Sequence, residues 1–228
     1  MIKLFLFDIE GTTTDIKFVH DVLFPYAEKC MEEFVIKNQD QPEVAKALSE
    51  VQQTIEEEEG IKANVDGVIK KLLHWIDIDR KHGSLKELQG LIWTSGYLKN
   101  DFKGHVYEDV KPFFLRILDR GCKIGIYSSG SVHAQKLIFG YSVEGDLTPM
   151  ISYYFDTKVG GKKEKASYQN IAQEVNLSPA EILFFSDIPE ELAAARDAGL
   201  NVTQLLRPGA TSSQFEGITD FRVYMSLL

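Results

Sequence analysis

The chain has 228 residues, enough for one domain or for one domain carrying an insertion, and 44% of them are hydrophobic, which supplies a core and is far from a disordered composition. Lys and Arg number 25 against 34 Asp and Glu, a net charge of −9, which argues against general nucleic-acid or anionic-membrane binding. Two cysteines, Cys30 and Cys122, with no CxxC spacing, argue against a zinc site or a disulfide scaffold and fit a reducing compartment.

In chain order, the apolar run Ile2–Phe7 predicts a buried strand. It is too short for a signal peptide or a membrane span, so a cytoplasmic location is expected. The run stops at Asp8-Ile9-Glu10-Gly11-Thr12-Thr13-Thr14. Two carboxylates, a glycine and three hydroxyls thus fall at one strand tip, where open α/β sheets bind ligands. Such a set suits Mg²⁺ and phosphate chemistry.

From Asp15 to about Leu98 no convincing strand occurs. Val19–Ile36, Pro42–Glu59, Val65–Arg80 and Ser84–Trp93 read as helices, with a one-sided apolar face at Val68, Leu72, Trp75 and Ile76. The run Glu56–Glu59 reads as a solvated helix face. Trp93 and Tyr97 would by default be core aromatics at helical spacing.

Alternation of helix and strand resumes near Asp109. A helix over Asp109–Arg120 ends at Gly121; strands follow at Lys123–Tyr127, Ile151–Phe155 and Ile182–Ser186. Helices over Val132–Phe139, Glu164–Val175 and Pro189–Ala198 lie between and after them, with Gly199 where a C-cap belongs. Ser178-Pro179-Ala180-Glu181 looks like a helix start, and Val202–Leu206 and Phe221–Tyr224 are weaker strand candidates. The predicted fold is α/β, a doubly wound, Rossmann-like parallel sheet with a helical cap inserted after its first strand. The core is expected over residues 1–14 and 102–228 and the cap over 15–101.

Three more features fall at predicted strand ends. Tyr127-Ser128-Ser129-Gly130-Ser131 offers hydroxyls and a helix N-terminus for phosphate oxygens, the reading favoured for Ser128 over a cap of the helix. Gly160-Gly161-Lys162-Lys163 offers a cation, and Ser186-Asp187-Ile188-Pro189-Glu190-Glu191 offers a further acid. Asp187 reads as a metal ligand or as a cap of the following helix; Glu190 and Glu191 read as first-turn acids favoured by the helix dipole. The serine block is not a nucleophile elbow, because no glycine precedes either serine by two positions. The five histidines show no metal-ligand spacing.

Carboxylate-x-carboxylate, serine, lysine, carboxylate, in that order, resembles the haloacid dehalogenase superfamily of phosphohydrolases. The blocks FDIEGTTT, LQGLIWTSGY, IYSSGSVHAQKLIFGYSVEGDL, FDTKVGGK and LLRPGA are similar to the enolase-phosphatase (acireductone synthase) family of methionine salvage. Most phosphatases of the superfamily have Asp where this chain has Glu10, whereas this family is similar to the chain in having Glu. The resemblance implies that Asp8 attacks phosphorus to form an aspartyl-phosphate, that Glu10 moves the proton, and that Lys162, aligned through the preceding glycines, adds positive charge. It implies phosphate or substrate binding by Ser128, Ser129, Lys162 and Trp93, and Mg²⁺ held by Asp8, Asp187 and Glu10 through its backbone carbonyl. The implied substrate is 2,3-diketo-5-methylthiopentyl-1-phosphate, enolised and then dephosphorylated to acireductone. The expected partner is therefore a small phosphate ester, with no nucleic acid or membrane, and a monomer is the expected state. A Mg²⁺-dependent small-molecule phosphatase or phosphomutase of the same superfamily is the alternative. A carbon–halogen hydrolase would leave Glu10 and Asp187 without a task, and a phospho-acceptor module would leave the helical insertion unexplained.

Overall fold

The computed structural model describes residues 1–208 and 214–225. Gly209 and Ala210, which end the LLRPGA block, lie outside the described residues. The chain divides into two compact units, Met1–Phe18 with Lys103–Leu228, and Val19–Phe102.

Among its described residues the first unit is built on six parallel strands: β1 (Leu4–Phe7), β2 (Lys123–Tyr127), β3 (Tyr153–Phe155), β4 (Ile182–Ser186), β5 (Asn201–Leu205) and β6 (Gly217–Ile218), in the spatial order β3-β2-β1-β4-β5-β6. The first strand is thus central, and the order reverses there, so a crevice opens at the C-terminal ends of β1, β2 and β4. The register sets Phe7 beside Ile126 on one side and Phe185 on the other. Every side chain of β1 is buried, as a parallel strand covered on both faces requires.

Alternation along β1 feeds two cores. Leu4 and Leu6 join Tyr127, Phe184, Tyr168, Ile171 and Leu192. These involve α8 (Lys165–Glu174) and α9 (Pro189–Asp197). Phe5 and Phe7 face the other way, into an aromatic nest with Phe113, Phe185 and Phe221, ring centroids 5.0 to 6.4 Å apart. Phe113 lies on α6 (Val110–Asp119). Each ring, fully buried, contributes roughly 2–3 kcal/mol from removed apolar surface, so the strand carrying Asp8 is anchored on both faces.

Three sequence expectations change here. Phe221–Tyr224 is not a strand but the start of α10 (Phe221–Met225). The Phe221 N–H donates to Asp109 Oδ2 (2.7 Å) and the Arg222 N–H to Asp220 Oδ1 (2.7 Å), so two acids satisfy its first turn. The last strand is the two-residue β6 just before it, and a short apolar run alone does not separate the two outcomes. Ser178–Glu181 makes a capping box, but the box closes only a 3₁₀ turn over Pro179–Glu181 that feeds directly into β4. The strand expected over Ile151–Phe155 is shortened to β3 by a 3₁₀ turn at Thr148–Met150.

The short α1 (Ile16–Phe18) closes the first stretch of this unit, and α7 (Val132–Gly140) follows β2.

The second unit is helical among its described residues: a π-turn at Val19–Leu23, then α2 (Phe24–Asn38), α3 (Pro42–Glu59), α4 (Val65–Asp77) and α5 (Gly83–Lys99). Its core joins Met31 and Val35 of α2, Val51 and Ile55 of α3, Leu72 and Trp75 of α4, and Leu88 and Ile92 of α5. Gly60 at φ 69° ends α3, and Asn64 caps α4 by accepting from the Gly67 N–H (2.9 Å). Helix α5 runs six residues beyond the expected Trp93, through Gly96, where a β-carbon would come 2.5 Å from the Phe102 ring. No helix among the described residues is long and apolar enough to cross a membrane.

Candidate active site

Asp8 follows the last residue of β1 and is 4% exposed. Its N–H donates to the Phe185 carbonyl (2.9 Å), which locks the residue to the neighbouring strand. The chain then turns tightly: the N–H groups of Thr12, Thr13 and Thr14 all reach the Ile9 carbonyl, and Thr13 Oγ1 donates to the Asp8 carbonyl at 3.0 Å. Gly11 sits at φ 71°, where L-residues are strained, and a β-carbon there would lie 2.5 Å from the Asp187 carboxyl carbon. The glycine is required twice, by the turn and by the close approach of the second acid.

Asp187 follows β4 and does not cap α9. Its N–H donates to Thr12 Oγ1 (3.1 Å), while its Oδ1 is buried with no hydrogen-bond partner. Burial, and then the nearby Asp8 carboxylate, push its pKa up to about 7.

Lys162, on the loop after β3, reaches Asp8 Oδ1 with its ammonium and Glu191 Oε2 at 2.7 Å. The loop is shaped by Tyr127 and Tyr168, whose hydroxyls donate to the carbonyls of Gly160 (2.9 Å) and Lys162 (2.6 Å). Burial alone would lower the lysine pKa; the carboxylates of Asp8 and Glu191 outweigh it, and the pKa is raised. Lys163 is exposed, 3.9 Å from Glu190.

Glu191 is the residue that sequence reasoning undervalued. It stands in the first turn of α9, 7% exposed, and its Oε2 accepts from Lys162 and from Ser186 Oγ (2.9 Å). Burial first, and the Asp8 charge second, raise its pKa. Two adjacent acids look alike in a sequence; only the helix phase separates buried Glu191 from exposed Glu190.

Ser128 is buried at the end of β2, its N–H donating to the Phe155 carbonyl (3.2 Å). The cap of α7 is supplied by Ser131, which accepts from the Ala134 N–H, so the Ser128 hydroxyl is not spent on capping and instead accepts from Gly130 N–H at 3.2 Å. Ser129 and the Glu10 side chain are exposed. Trp93 belongs to the helical unit, where its indole N–H donates to the Leu23 carbonyl (2.8 Å). Asp8, Lys162, Asp187 and Ser128 therefore gather within the first unit, on adjacent strand ends.

Mg²⁺ asks for few protein ligands and tolerates carbonyls and water. Among the described residues no group of three His, Cys, Asp or Glu side chains is placed to hold a metal. The Asp187 Oδ1 beside Asp8 is, however, an acceptor with no hydrogen-bond partner, and the two carboxylates suit a hard cation.

A model of the haloacid dehalogenase-like hydrolases matches residues 2–199. The chain is 49% identical to the enolase-phosphatase E1 of Erwinia tasmaniensis over 100% of its own length and 99% of the relative's. It is 46% identical to the enolase-phosphatase E1 of Aquifex aeolicus over 97% and 98% of the two chains. The crystal structure of the UTR4 protein of Saccharomyces cerevisiae superposes with a TM-score of 0.82 at 33% identity, covering 97% of this chain and 99% of the other.

Proposed function

The chain belongs to the enolase-phosphatase E1 family of haloacid dehalogenase-like hydrolases, and from its site we infer that it enolises 2,3-diketo-5-methylthiopentyl-1-phosphate and hydrolyses the enol phosphate to acireductone and inorganic phosphate. The observation that carries this reading is a buried Asp8 in contact with the Lys162 ammonium, beside a second acid whose Oδ1 is buried without a partner.

The Asp8 carboxylate attacks phosphorus while the ester oxygen leaves with a proton from Glu10, forming an aspartyl-phosphate. Glu10 then accepts a proton from water, whose oxygen attacks the same phosphorus; the P–O bond to Asp8 breaks and phosphate departs. Lys162, fixed by Glu191, stays beside Asp8 through both displacements and offsets charge on the transferring group. Ser128 and Ser129 serve the phosphate oxygens at the N-terminal side of α7. Mg²⁺, held by the carboxylates of Asp8 and Asp187 and the Glu10 carbonyl, would supply positive charge at the phosphoryl oxygens and polarise the substrate ketone. The helical segment, residues 15–101, is read as a cap, with Trp93 as one of its substrate-binding residues. A cytoplasmic setting fits two free cysteines.

Phosphate release from the diketone ester, accompanied by the ultraviolet absorbance of an enediol, tests the reading. Asp8→Asn should abolish phosphate release while circular dichroism stays native; near-normal turnover would remove Asp8 as the nucleophile.

A further inference from the structure

Resting on that reading, we propose that Arg207 and Asp109 are a positioning pair that sets the spacing of the Asp8 loop and the Asp187 turn through Thr12, and thereby the affinity of the site for Mg²⁺.

Asp109 stands where α6 begins, yet its side chain makes no cap bond to the helix. Both its oxygens instead accept from the Arg207 guanidinium, Oδ2 from Nη1 at 2.7 Å and Oδ1 from Nη2 at 3.0 Å, and Oδ2 also accepts the Phe221 N–H. The pair is buried, 2% and 7% exposed. The guanidinium packs on the rings of Tyr107 (4.1 Å) and Phe221 (5.0 Å), which fixes its plane. Its remaining nitrogen, Nε, donates to the Thr12 carbonyl at 2.9 Å. Thr12 is fully buried, and its Oγ1 accepts the Asp187 N–H. A continuous chain of hydrogen bonds therefore runs from the start of α6 to the backbone of the second acid, through the residue that follows Gly11.

A buried ion pair is a poor source of net stability, because desolvation offsets most of its attraction. What a planar, forked cation supplies is direction: three donors on one rigid group fix the Thr12 carbonyl relative to Asp109 and the C-terminal helix. The neighbours of a metal ligand, by orienting it, govern affinity as the ligands do.

The test is calorimetric titration of Mg²⁺ into the wild-type protein and into Arg207→Lys, Thr12→Val and Thr12→Ser. Lysine keeps the charge but not the fork; valine keeps the shape but not the acceptor; serine restores the acceptor. Arg207→Lys and Thr12→Val should each weaken Mg²⁺ binding about tenfold or more in protein that still unfolds cooperatively, and Thr12→Ser should recover most of it. A merely structural pair would lower the melting temperature and leave the Kd of the folded molecules alone. Wild-type affinity in folded Arg207→Lys or in folded Thr12→Val overturns the proposal; if Arg207→Lys does not fold, Asp109→Asn, which keeps the shape but discharges the pair, takes its place. A wild-type chain that binds no Mg²⁺ overturns both the pair and the functional reading beneath it, whereas a Mg²⁺-binding wild type with unaffected variants overturns the pair alone.

Discussion

Replacing Asp187 by Asn should make the metal-free protein more stable at pH 8 while removing its affinity for Mg²⁺. The unfolded chain ionises this carboxyl near 3.8, whereas the folded chain holds the proton until about 7, through burial first and the Asp8 charge second. Between those values the unfolded state has released a proton that the folded state keeps, so raising the pH draws the protein towards unfolding. The stabilisation is complete below about 3.8 and gone above about 7. Three pKa units would correspond to about 4 kcal/mol, and because the group is partly exposed solvent reduces this to about 2 kcal/mol. In a chain of this length that is roughly 4–8 °C in melting temperature. The amide carries no charge to desolvate, so Asp187→Asn should melt higher than the wild type at pH 8 in EDTA, and the gap should shrink by more than half at pH 5. Thermal unfolding followed by circular dichroism at the two pH values measures it. A variant that melts lower than the wild type at pH 8, or a gap independent of pH, would refute the claim that an uncompensated charge sits at this position.

Gly11→Ala should destabilise the fold by about 1–2 kcal/mol from positive φ alone and, by displacing the Asp187 carboxyl, weaken Mg²⁺ binding as well; denaturant titration and calorimetry report the two effects separately. Lys162→Met should lower kcat by about a hundredfold or more, while Lys163→Met, which removes only an exposed contact with Glu190, should leave kcat unchanged; comparable losses in both would reverse the assignment. Mg²⁺ binding at pH 6 should release nearly one proton per ion, falling towards zero above pH 8, because the carboxyl that receives the ion is protonated in the free protein; titrations in two buffers of different ionisation enthalpy count the protons, and no release at pH 6 would contradict the raised pKa of Asp187.

The features readable in the sequence are those fixed by period and by strand-end chemistry. Four apolar runs became β1 to β4, because a strand buried on both faces needs no turn chemistry to be recognised. The residues at their tips were singled out by their place at strand ends, and their expected roles came from the family resemblance. What was not readable depends on which partner the fold brings to each group. Phe221 enters a helix because Asp109, 112 residues earlier, accepts its N–H. Ser128 is released from capping because Ser131 takes that role. Glu191 differs from Glu190 only by the phase of α9 against Lys162. Arg207 lay in the LLRPGA block, but nothing near it in sequence named its partners, since its three donors are used on the Asp109 side chain and the Thr12 carbonyl.

The electrostatics of the site give the reason for its strain. Asp8 and Glu191 are buried, Asp187 is half-buried, and Lys162 reaches two of the three, so full ionisation leaves a net two negative charges in the crevice. A phosphate dianion approaching that arrangement would be repelled, and the raised pKa values of Asp187 and Glu191 are the protein's own response, proton uptake in place of charge. Protons neutralise the acids but occupy the oxygens that the reaction needs. A divalent cation held by Asp8 and Asp187 would offset the excess charge and leave their oxygens as ligands. The sequence thus places carboxylates where they destabilise the fold, at the tips of strands whose aromatic faces supply stability elsewhere, and that separation lets one sheet carry both the core and the chemistry.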